Sequence, residues 1–452
     1  MKTDGIYGKF EYNDKGYPFF IKGQVLTIVQ EPREHNRDFE NMSKIKRLRG
    51  ITNDNQIIIM CNCKVMGGLI FSNIAITFQW FALFSVDIES FQRVEFASTA
   101  LNGFFSPQRA REIEFHDNTL RVQSLQIKKA EDTVETFECV INEEQITCKL
   151  SVKTIIPFRP DTSALGTANT VFSMDFQHPK QPEELGEYYL YLLDFLVFTN
   201  FQKDIPIDSI ELFYAPSAGT YSKCGAVKMF QIDCSNYQPE FRSSITFDDI
   251  GKEYVANLFT MVAEQRLTSN YNNYYIPESS SEKHKVNAIK WLSAALSFEG
   301  EFNKSFPHHK CETDEQFKNA KEMLRNVLDE EVKKSGFGIY NEKNIYHKRF
   351  RSLIERSDTT IREKYQYTIE RYKESIIDIR KKHTGERGVP EDADIVTAYE
   401  SYRNSTAHGD IKMLSAVDVL NFALLQSLIY ALLLDRAGLN TEKIRKIVAK
   451  LF

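Results

Sequence analysis

The residues best suited to chemistry lie in one short stretch, SYRNSTAHG, from Ser401 to Gly409. Arg403, Asn404 and His408 form an Arg-Asn-x3-His arrangement within it. Histidine titrates near neutral pH and can therefore accept or donate a proton, and the forked, permanently charged guanidinium of arginine suits a phosphate. RNA is cleaved without metal when its own 2′-hydroxyl attacks the adjacent phosphorus. That reaction needs a base, an acid and a positive charge, which are the groups this stretch offers.

One copy of the motif supplies only one histidine, whereas the reaction has separate acid and base roles. We therefore expect a homo-oligomer, at least a dimer, with a composite site across a two-fold axis. A straight α-helix does not bring positions five apart onto one face. Arg403 and His408 thus need local unwinding near Gly409, where the helix is expected to end, or contributions from two chains.

The spacing of arginine and histidine is not specific by itself. Arg111 and His116 match it equally well, and Arg109 is separated from the same histidine by a gap of six residues. These residues lie in a β-rich region and lack an adjacent asparagine. The context of Arg403 and His408 differs, with a helix before the motif and a glycine and a long apolar helix after it. The alternative is a helix terminus whose arginine and histidine are merely solvated.

The first half of the chain contains short β-forming runs separated by polar or turn-forming residues. These predicted strands are VLTIV, QIIIMCNCKV, the block 66–86, TLRVQSLQI, ETFECVI and QITCKLSVKTII. No helical pattern alternates with them, which disfavours a parallel α/β sheet. The sequence predicts a β-rich antiparallel N-terminal domain over 1–243, built as a sandwich or barrel-like sheet.

Helical periodicity begins near residue 244 and dominates the rest of the chain. Segment 244–285 is predicted to be a helical connector and linker, because YNNYYIPESSSEKHK contains a proline and a serine run. An all-helical domain is predicted over 286–452. Its central helices are expected at 312–335, 341–357 and 358–382. The predicted fold class is therefore α+β multidomain, with the β-rich antiparallel domain first and an all-α bundle second.

The last long helix, SAVDVLNFALLQSLIYALLLDR, is apolar nearly all round from Val417 to Leu434, and Ser415 fits its N-cap. A helix that is apolar on every face is buried on every face. The helix is short for a membrane span, and the polar residues Asn421 and Gln426 lie within it, so a membrane span is disfavoured. We expect a partner subunit to cover its extra face, so the dimer is predicted to form through 415–436 and its neighbours.

Composition excludes several functional classes. The chain has 452 residues and a formal net charge of −5, so contact with nucleic acid must rely on a local basic patch. It contains no GxxxxGK[ST] loop, GxGxxG fingerprint or HExxH pair, which leaves NTPase, dinucleotide and zinc-protease functions unsupported. The seven cysteines include only one tight pair, Cys61 and Cys63, and zinc sites want four ligands in paired spacings. We predict no metal and no cofactor, although His308, His309 and Cys311 lie close together.

The N-terminal sequence MKTDGIYGKFEY lacks an apolar signal region, and the odd cysteine count fits reduced thiols. The apolar block 66–86 mixes polar, aromatic and β-branched residues, which favours two buried strands over a membrane helix. We therefore expect a cytoplasmic protein that has no membrane partner.

Segment 341–382 holds twelve lysines and arginines against seven acidic residues, with Tyr365, Tyr367 and Tyr372 interleaved. Its basic side chains are plausible phosphate contacts, and its tyrosines are available for stacking on bases. Tyr365 and Tyr372 also fall in a repeat with Ile361, Thr368, Ser375 and Ile379 at spacings of four and three, which is typical of a packing face. We interpret the tyrosines as packing residues and keep the basic residues as candidate RNA contacts.

The motif and its context resemble HEPN domains, in which an Arg-x4–6-His motif cleaves RNA without metal. SAALSFEGEF is similar to the first helix of the ApeA-like HEPN subfamily, and GIYGKFEY, FFIKGQVL and IKRLRGITNDNQIIIM are similar to its β-rich N-terminal domain. That family consists of bacterial anti-phage proteins that act by abortive infection. The resemblance covers most of the chain, and its sharp part is the terminal motif.

The resemblance implies an endoribonuclease whose catalytic positions are Arg403, Asn404 and His408, with Glu299 matching an acidic residue of the first helix. It also implies RNA such as tRNA as substrate and a phage-derived trigger sensed by the β-rich domain. The alternative is a non-catalytic HEPN scaffold that only dimerises and binds partners. A carbohydrate- or protein-binding β-domain joined to a helical oligomerisation module would leave the motif without a role.

Overall fold

The structure, a computed structural model, describes most of the chain in atomic detail. The described residues are 5–12, 15–29, 46–66, 73–85, 88–115, 122–128, 133–155, 167–217, 219–229, 234, 237–267, 273–283, 285–307, 315–334, 342–356, 360–384, 390–410 and 412–452. They form two compact units, the first spanning Met1–Tyr271 and Ile276–Lys283 and the second spanning Asn272–Tyr275 and His284–Phe452. The first unit is built on an antiparallel sheet and the second is helical, which confirms the predicted α+β class.

The first unit contains sixteen described strands that follow one another along the chain. They are β1 (Ile6–Tyr12), β2 (Lys15–Lys22), β3 (Val25–Val29), β4 (Arg47–Thr52), β5 (Ile57–Cys61), β6 (Lys64–Met66), β7 (Asn73–Thr77), β8 (Trp80–Phe84), β9 (Phe91–Ala97), β10 (Arg111–Phe115), β11 (Val122–Ile127), β12 (Glu135–Ile141), β13 (Glu144–Ile155), β14 (Thr167–Lys180), β15 (Ser209–Ser217) and β16 (Thr220–Met229). The predicted pair of strands in block 66–86 corresponds to β7 and β8, and every residue of β8 is buried.

Fourteen of the described strands share one hydrogen-bonded sheet, in which every neighbouring pair is antiparallel. Their order is β12-β13-β14-β9-β15-β16-β8-β5-β4-β1-β2-β3-β7-β6, and β10 pairs separately with β11. Side chains alternate between the faces of a strand, so Phe137, Cys139 and Ile141 of β12 point inward while their neighbours are exposed or half-buried. All fourteen strands thus follow one another in a single pairing order. The sequence patterns predicted strands but did not distinguish a sandwich from a barrel-like sheet.

Helices cover part of this sheet. They are α1 (Thr99–Phe104), α2 (Leu185–Asn200), α3 (Phe247–Ile250) and α4 (Lys252–Leu267). The ring of Phe259 in α4 lies 6.1 Å from Phe137, 5.5 Å from Phe172 and 5.3 Å from Phe195. Because these aromatic contacts bury α4 against the strands and α2, the first part of the segment predicted as a connector packs within the β-rich unit.

The second unit contains eight described helices. They are α5 (Ala288–Ser305), α6 (Glu315–Lys334), α7 (Glu342–Arg356), α8 (Ile361–Arg371), α9 (Lys373–Thr384), α10 (Asp392–Ala407), α11 (Ala416–Arg436) and α12 (Thr441–Leu451). The helix predicted at 358–382 is two helices, interrupted at Tyr372. The hydroxyl of Tyr372 donates to Asp435 of α11 at 2.6 Å, a contact from a distant part of the chain that periodicity does not reveal.

Helix α11 is the central helix of the second unit. Every residue from Leu420 to Leu434 is buried. Its predicted N-cap is confirmed, because the Ser415 hydroxyl accepts a hydrogen bond from the Asp418 backbone N–H and Asp418 returns a capping-box bond. By length and composition α11 is the one candidate membrane span in the described chain, yet 89% of its most apolar window is buried inside the structure.

A short polar chain fixes α11 within this apolar core. The Tyr365 hydroxyl donates to Asn421 Oδ1 at 2.9 Å, and Asn421 Nδ2 donates to the Ile395 carbonyl at 3.1 Å. Tyr365, Asn421 and Ile395 are all fully buried. Three helices are therefore joined by groups that have no access to water.

Replacing Asn421 with leucine is expected to lower the free energy of unfolding by about 3 kcal/mol, because a buried hydroxyl and a buried carbonyl lose their partner. Urea denaturation of the full chain measures this change. Asn326→Leu, at an exposed position of α6, is the matched control and should change stability by less than about 0.5 kcal/mol. Equal unfolding midpoints for the two variants would contradict the role assigned to Asn421.

Candidate active site

Helix α10 carries the Arg-Asn-x3-His motif near its C-terminal end. Its buried residues recur at helical spacing, namely Ile395, Val396, Tyr399, Tyr402 and Thr406. This face packs inward, so Arg403 is left half-buried at its edge while Asn404 and His408 are exposed. The motif therefore lies at the surface of the helical unit, accessible to solvent.

A defined backbone turn ends α10 at the motif. His408 is the C-cap residue, and Gly409 follows it with φ +85°, a left-handed conformation that favours glycine. The Gly409 N–H donates to the Thr406 carbonyl at 3.1 Å, and the Asp410 N–H donates to the Ser405 carbonyl at 2.9 Å. This is the Schellman pattern of helix termination, which confirms the helix end predicted at Gly409. It holds the exposed His408 backbone in one conformation.

Arg403 is paired with Glu299 of α5, 104 residues earlier in the chain. Arg403 Nε donates to Glu299 Oε1 at 3.1 Å and Nη2 donates to Oε2 at 3.3 Å, a bidentate contact along the side of the guanidinium. Each side chain is about one-fifth exposed, at 20% and 19%. Arg403 Nη1 forms no hydrogen bond with any described residue. Glu299 therefore orients the guanidinium group of Arg403 through one edge, and the remaining N–H donors can bind a second anion.

The structure brings together two of the four predicted site residues, Arg403 and Glu299, and leaves Asn404 and His408 apart from that pair. Regular helical geometry separates positions 403 and 408 by about 140° around the axis of α10. No hydrogen bond among the described residues joins the His408 side chain to Arg403. The regular helix thus persists up to Ala407, without the unwinding that would turn both side chains to one face.

Aromatic side chains pack α5 against α10 near the ion pair in sequence. Trp291 of α5 lies 4.8 Å from the ring of Tyr402 and 5.7 Å from the ring of Tyr399, both in α10. Burial first, and then the nearby Glu299 carboxylate, raise the pKa of the Tyr399 phenol, while Arg403 opposes that rise. The phenol is therefore neutral, and its oxygen has no hydrogen-bond partner among the described residues. Sequence reasoning missed Tyr399, although its position one turn before Arg403 was a usable signal.

The cysteines and histidines that the sequence analysis considered as metal ligands lie only partly within the described residues. In the described part of the chain, no group of three or more His, Cys, Asp or Glu side chains is placed to hold a metal. Cys61 and Cys63 are buried, and burial raises the pKa of the Cys63 thiol to about 12, which leaves that thiol neutral. His308, His309 and Cys311 lie outside the described residues, as does His116, whose spacing partner Arg111 begins β10.

The tyrosines of segment 341–382 are mainly packing residues. Tyr365 and Tyr372 are buried, and Tyr367 packs edge-on against Phe302 at 6.1 Å. The rings of Tyr365 and Tyr372 are therefore not open for stacking on RNA bases, as their spacing in the sequence predicts.

Comparison with known proteins gives no relative for this chain, since no family model, curated protein or solved structure matches it.

Proposed function

We propose that this chain is a metal-independent endoribonuclease of the HEPN type, with a composite site formed by two copies. The observation that carries the proposal is the oriented, half-buried Arg403 at the edge of a helix whose next turn ends in an exposed, backbone-fixed His408. An oriented guanidinium binds a phosphate bidentately, and a solvent-accessible imidazole transfers protons near neutral pH.

In the proposed reaction the RNA supplies its own nucleophile. One His408 accepts the proton of a 2′-hydroxyl, whose oxygen forms a bond to the adjacent phosphorus, and the bond from that phosphorus to the 5′-oxygen breaks. A second His408 donates a proton to the departing 5′-oxygen. The products are a 2′,3′-cyclic phosphate and a 5′-hydroxyl. Arg403 stabilises the negative charge that develops on the phosphoryl oxygens.

The two histidines come from two copies of the chain, because each motif contains one. Glu299 and Asn404 have supporting roles in this scheme, Glu299 by orienting Arg403 and Asn404 by contacting the RNA or its neighbours. The polar groups of one copy thus form half of a site.

The surface that joins the copies is expected on α5, not on α11. The expectation for α11 rested on its apolar faces, and this chain's own helices already bury them from Leu420 to Leu434. Helix α5 exposes Ile289 by 75% and Leu296 by 49%. Glu299 lies three positions after Leu296 and so shares its side of the helix. An interface on these residues would adjoin the ion pair.

The double change Ile289→Glu/Leu296→Glu is expected to dissociate the dimer and to lower RNA cleavage in parallel, because charge at the centre of an apolar contact opposes burial. Sedimentation across a concentration series and cleavage assays measure the two effects. Leu267→Glu, at an exposed position of the first unit, is the matched control and should leave both unchanged. A chain that is strictly monomeric at micromolar concentration and still cleaves RNA would refute the composite site.

The biological role proposed with this chemistry is anti-phage defence by abortive infection. The β-rich unit would sense a phage-derived trigger, and the helical unit would then cleave RNA required for translation, such as tRNA. Infection of cells carrying the wild-type chain should produce growth arrest and new RNA ends together.

A non-catalytic scaffold is the second candidate, and one observation favours it. Glu299 already neutralises Arg403, so the pair also serves as a contact between α5 and α10 in a protein that only binds partners. This candidate predicts that Arg403 affects stability or assembly and that His408 affects nothing.

Cleavage in the presence of EDTA tests the proposal. We expect purified chain to cleave RNA fully in chelator, leaving 5′-hydroxyl ends, because no step requires a metal-bound water. An activity that disappears in EDTA and returns with magnesium would mean that the mechanism is wrong.

A further inference from the structure

Several large apolar side chains of the helix pair α6 and α7 are exposed. Phe350 is 54% and Leu353 63% exposed on α7, and Met323 is 67%, Leu324 55% and Val327 50% exposed on α6. The two helices pack principally against each other. Exposed apolar side chains on adjacent helices indicate a surface that binds something.

The face of α7 that meets α6 is identified by its polar contacts. His347 Nε2 lies 3.0 Å from Asp329 Oδ1 of α6, and Arg351 Nη1 lies 3.3 Å from the same oxygen. Arg349 follows His347 by two positions, about 200° around the helix, and therefore points away from α6. Leu353 lies one turn after Arg349, on the same outward side.

The charge of α7 distinguishes it from α6 and from the chain as a whole. Its sequence, EKNIYHKRFRSLIER, contains five basic and two acidic residues, whereas α6 has equal numbers of each and the chain carries −5. Lys348 and Arg349 are exposed and form no ion pair with any described residue. The exposed ring of Phe350 follows them directly.

We propose that α7 is a docking element for single-stranded RNA, with Lys348 and Arg349 on phosphates and Phe350 stacked on a base. Unpaired cations beside an exposed aromatic ring are the combination that binds single strands without sequence preference. The net positive charge of α7 favours a polyanion as the occupant of this surface. This inference rests on the proposed function, which makes RNA the substrate, and it assigns RNA contacts outside the reacting residues.

The test measures RNA binding without cleavage, in full-length chain carrying His408→Ala, by fluorescence anisotropy with labelled oligouridine. Lys348→Glu/Arg349→Glu should weaken binding about tenfold at low salt and reduce the slope of log affinity against log salt by about 1.4. Phe350→Ala should weaken binding about fivefold, and Phe350→Trp should restore it because stacking is retained.

Lys22→Glu/Lys64→Glu is the control, because it makes the same charge change at two exposed positions on β2 and β6 of the first unit. It should leave oligouridine affinity within about twofold of the parent. Equal affinities for the two charge reversals, or no RNA binding by the parent, would overturn the docking role. The docking role would also be overturned if Phe350→Ala altered self-association and left RNA affinity unchanged, because α7 would then be a protein interface.

The two proposals fail in different measurements. Wild-type chain that cleaves RNA while its α7 variants bind RNA normally refutes only the docking element. If the chain binds RNA through α7 but produces no new RNA ends with His408 present, the ribonuclease proposal is refuted and the docking surface is retained.

Discussion

His408→Ala is expected to reduce RNA cleavage by about 100-fold or more, the loss typical when a general acid–base group is removed. His408 is the only imidazole in the motif, so both the base and the acid of the composite site disappear with one change. Single-turnover cleavage of a labelled RNA by purified dimer measures the effect. Growth arrest in cells expressing the variant should be lost to the same extent.

His178→Ala is the matched control, because His178 is also exposed but lies on β14 of the other unit. It should cleave at the wild-type rate. His408 is an exposed C-cap residue whose backbone bonds survive the substitution, so the variant should unfold within about 1 kcal/mol of wild type. A folded, dimeric His408→Ala chain that cleaves RNA at the wild-type rate would refute the catalytic assignment.

Arg403→Ala is expected to lower cleavage about 100-fold, because a pre-oriented charge at the phosphoryl oxygens is lost. Arg403→Lys should recover only a small part of this activity. A lysine ammonium keeps the charge but cannot contact Glu299 with one edge and a phosphate with the other. Cleavage rates for the two variants, measured with RNA in excess, separate the loss of charge from the loss of the fork.

Glu299 provides the companion test, because it is assigned a positioning role. Glu299→Ala frees the guanidinium to rotate, so cleavage should fall about tenfold while the affinity for RNA rises or stays constant. Glu299→Gln keeps one acceptor oxygen, so its cleavage rate should lie between those of the wild type and Glu299→Ala. The pair is one-fifth exposed, so its loss should change stability by no more than about 1 kcal/mol. Large unfolding effects with unchanged cleavage would support the scaffold.

Local sequence patterns predicted the features that depend on neighbouring residues. The end of α10 at Gly409 and the cap at Ser415 follow from the chemistry of one or two residues. The buried strand β8 follows from an apolar run. These features need no knowledge of the rest of the fold.

Contacts between distant segments could not be predicted in the same way. The Glu299–Arg403 pair joins residues 104 apart, and only the resemblance to the first helix of HEPN domains pointed to Glu299. Tyr372, where the predicted helix is interrupted, donates a hydrogen bond to Asp435, 63 residues later in the chain, and the helices that cover α11 include α5 and α9, far from it in sequence. The all-round apolarity of α11 predicts that the helix is buried, but it does not identify which chain buries it.

The association of α4 with the β-rich unit illustrates the same limit. Helical periodicity near residue 244 indicates a new element and predicts the start of a helical connector. Phe259 shows why the helix belongs to the first unit, since its ring packs against Phe137 and Phe172 of the sheet. Periodicity identifies the buried face of a helix, not the surface that buries it.

Sequencing of RNA ends in cells tests the central claim most directly. RNA is collected after induced expression of wild-type chain or His408→Ala, and 5′-hydroxyl ends are mapped across all transcripts. We predict new ends at defined positions in tRNA or other translation-related RNA with the wild-type chain, and their absence with His408→Ala. Identical end profiles for the two chains, at equal levels of folded protein, would contradict the assignment of a ribonuclease site at Arg403 and His408.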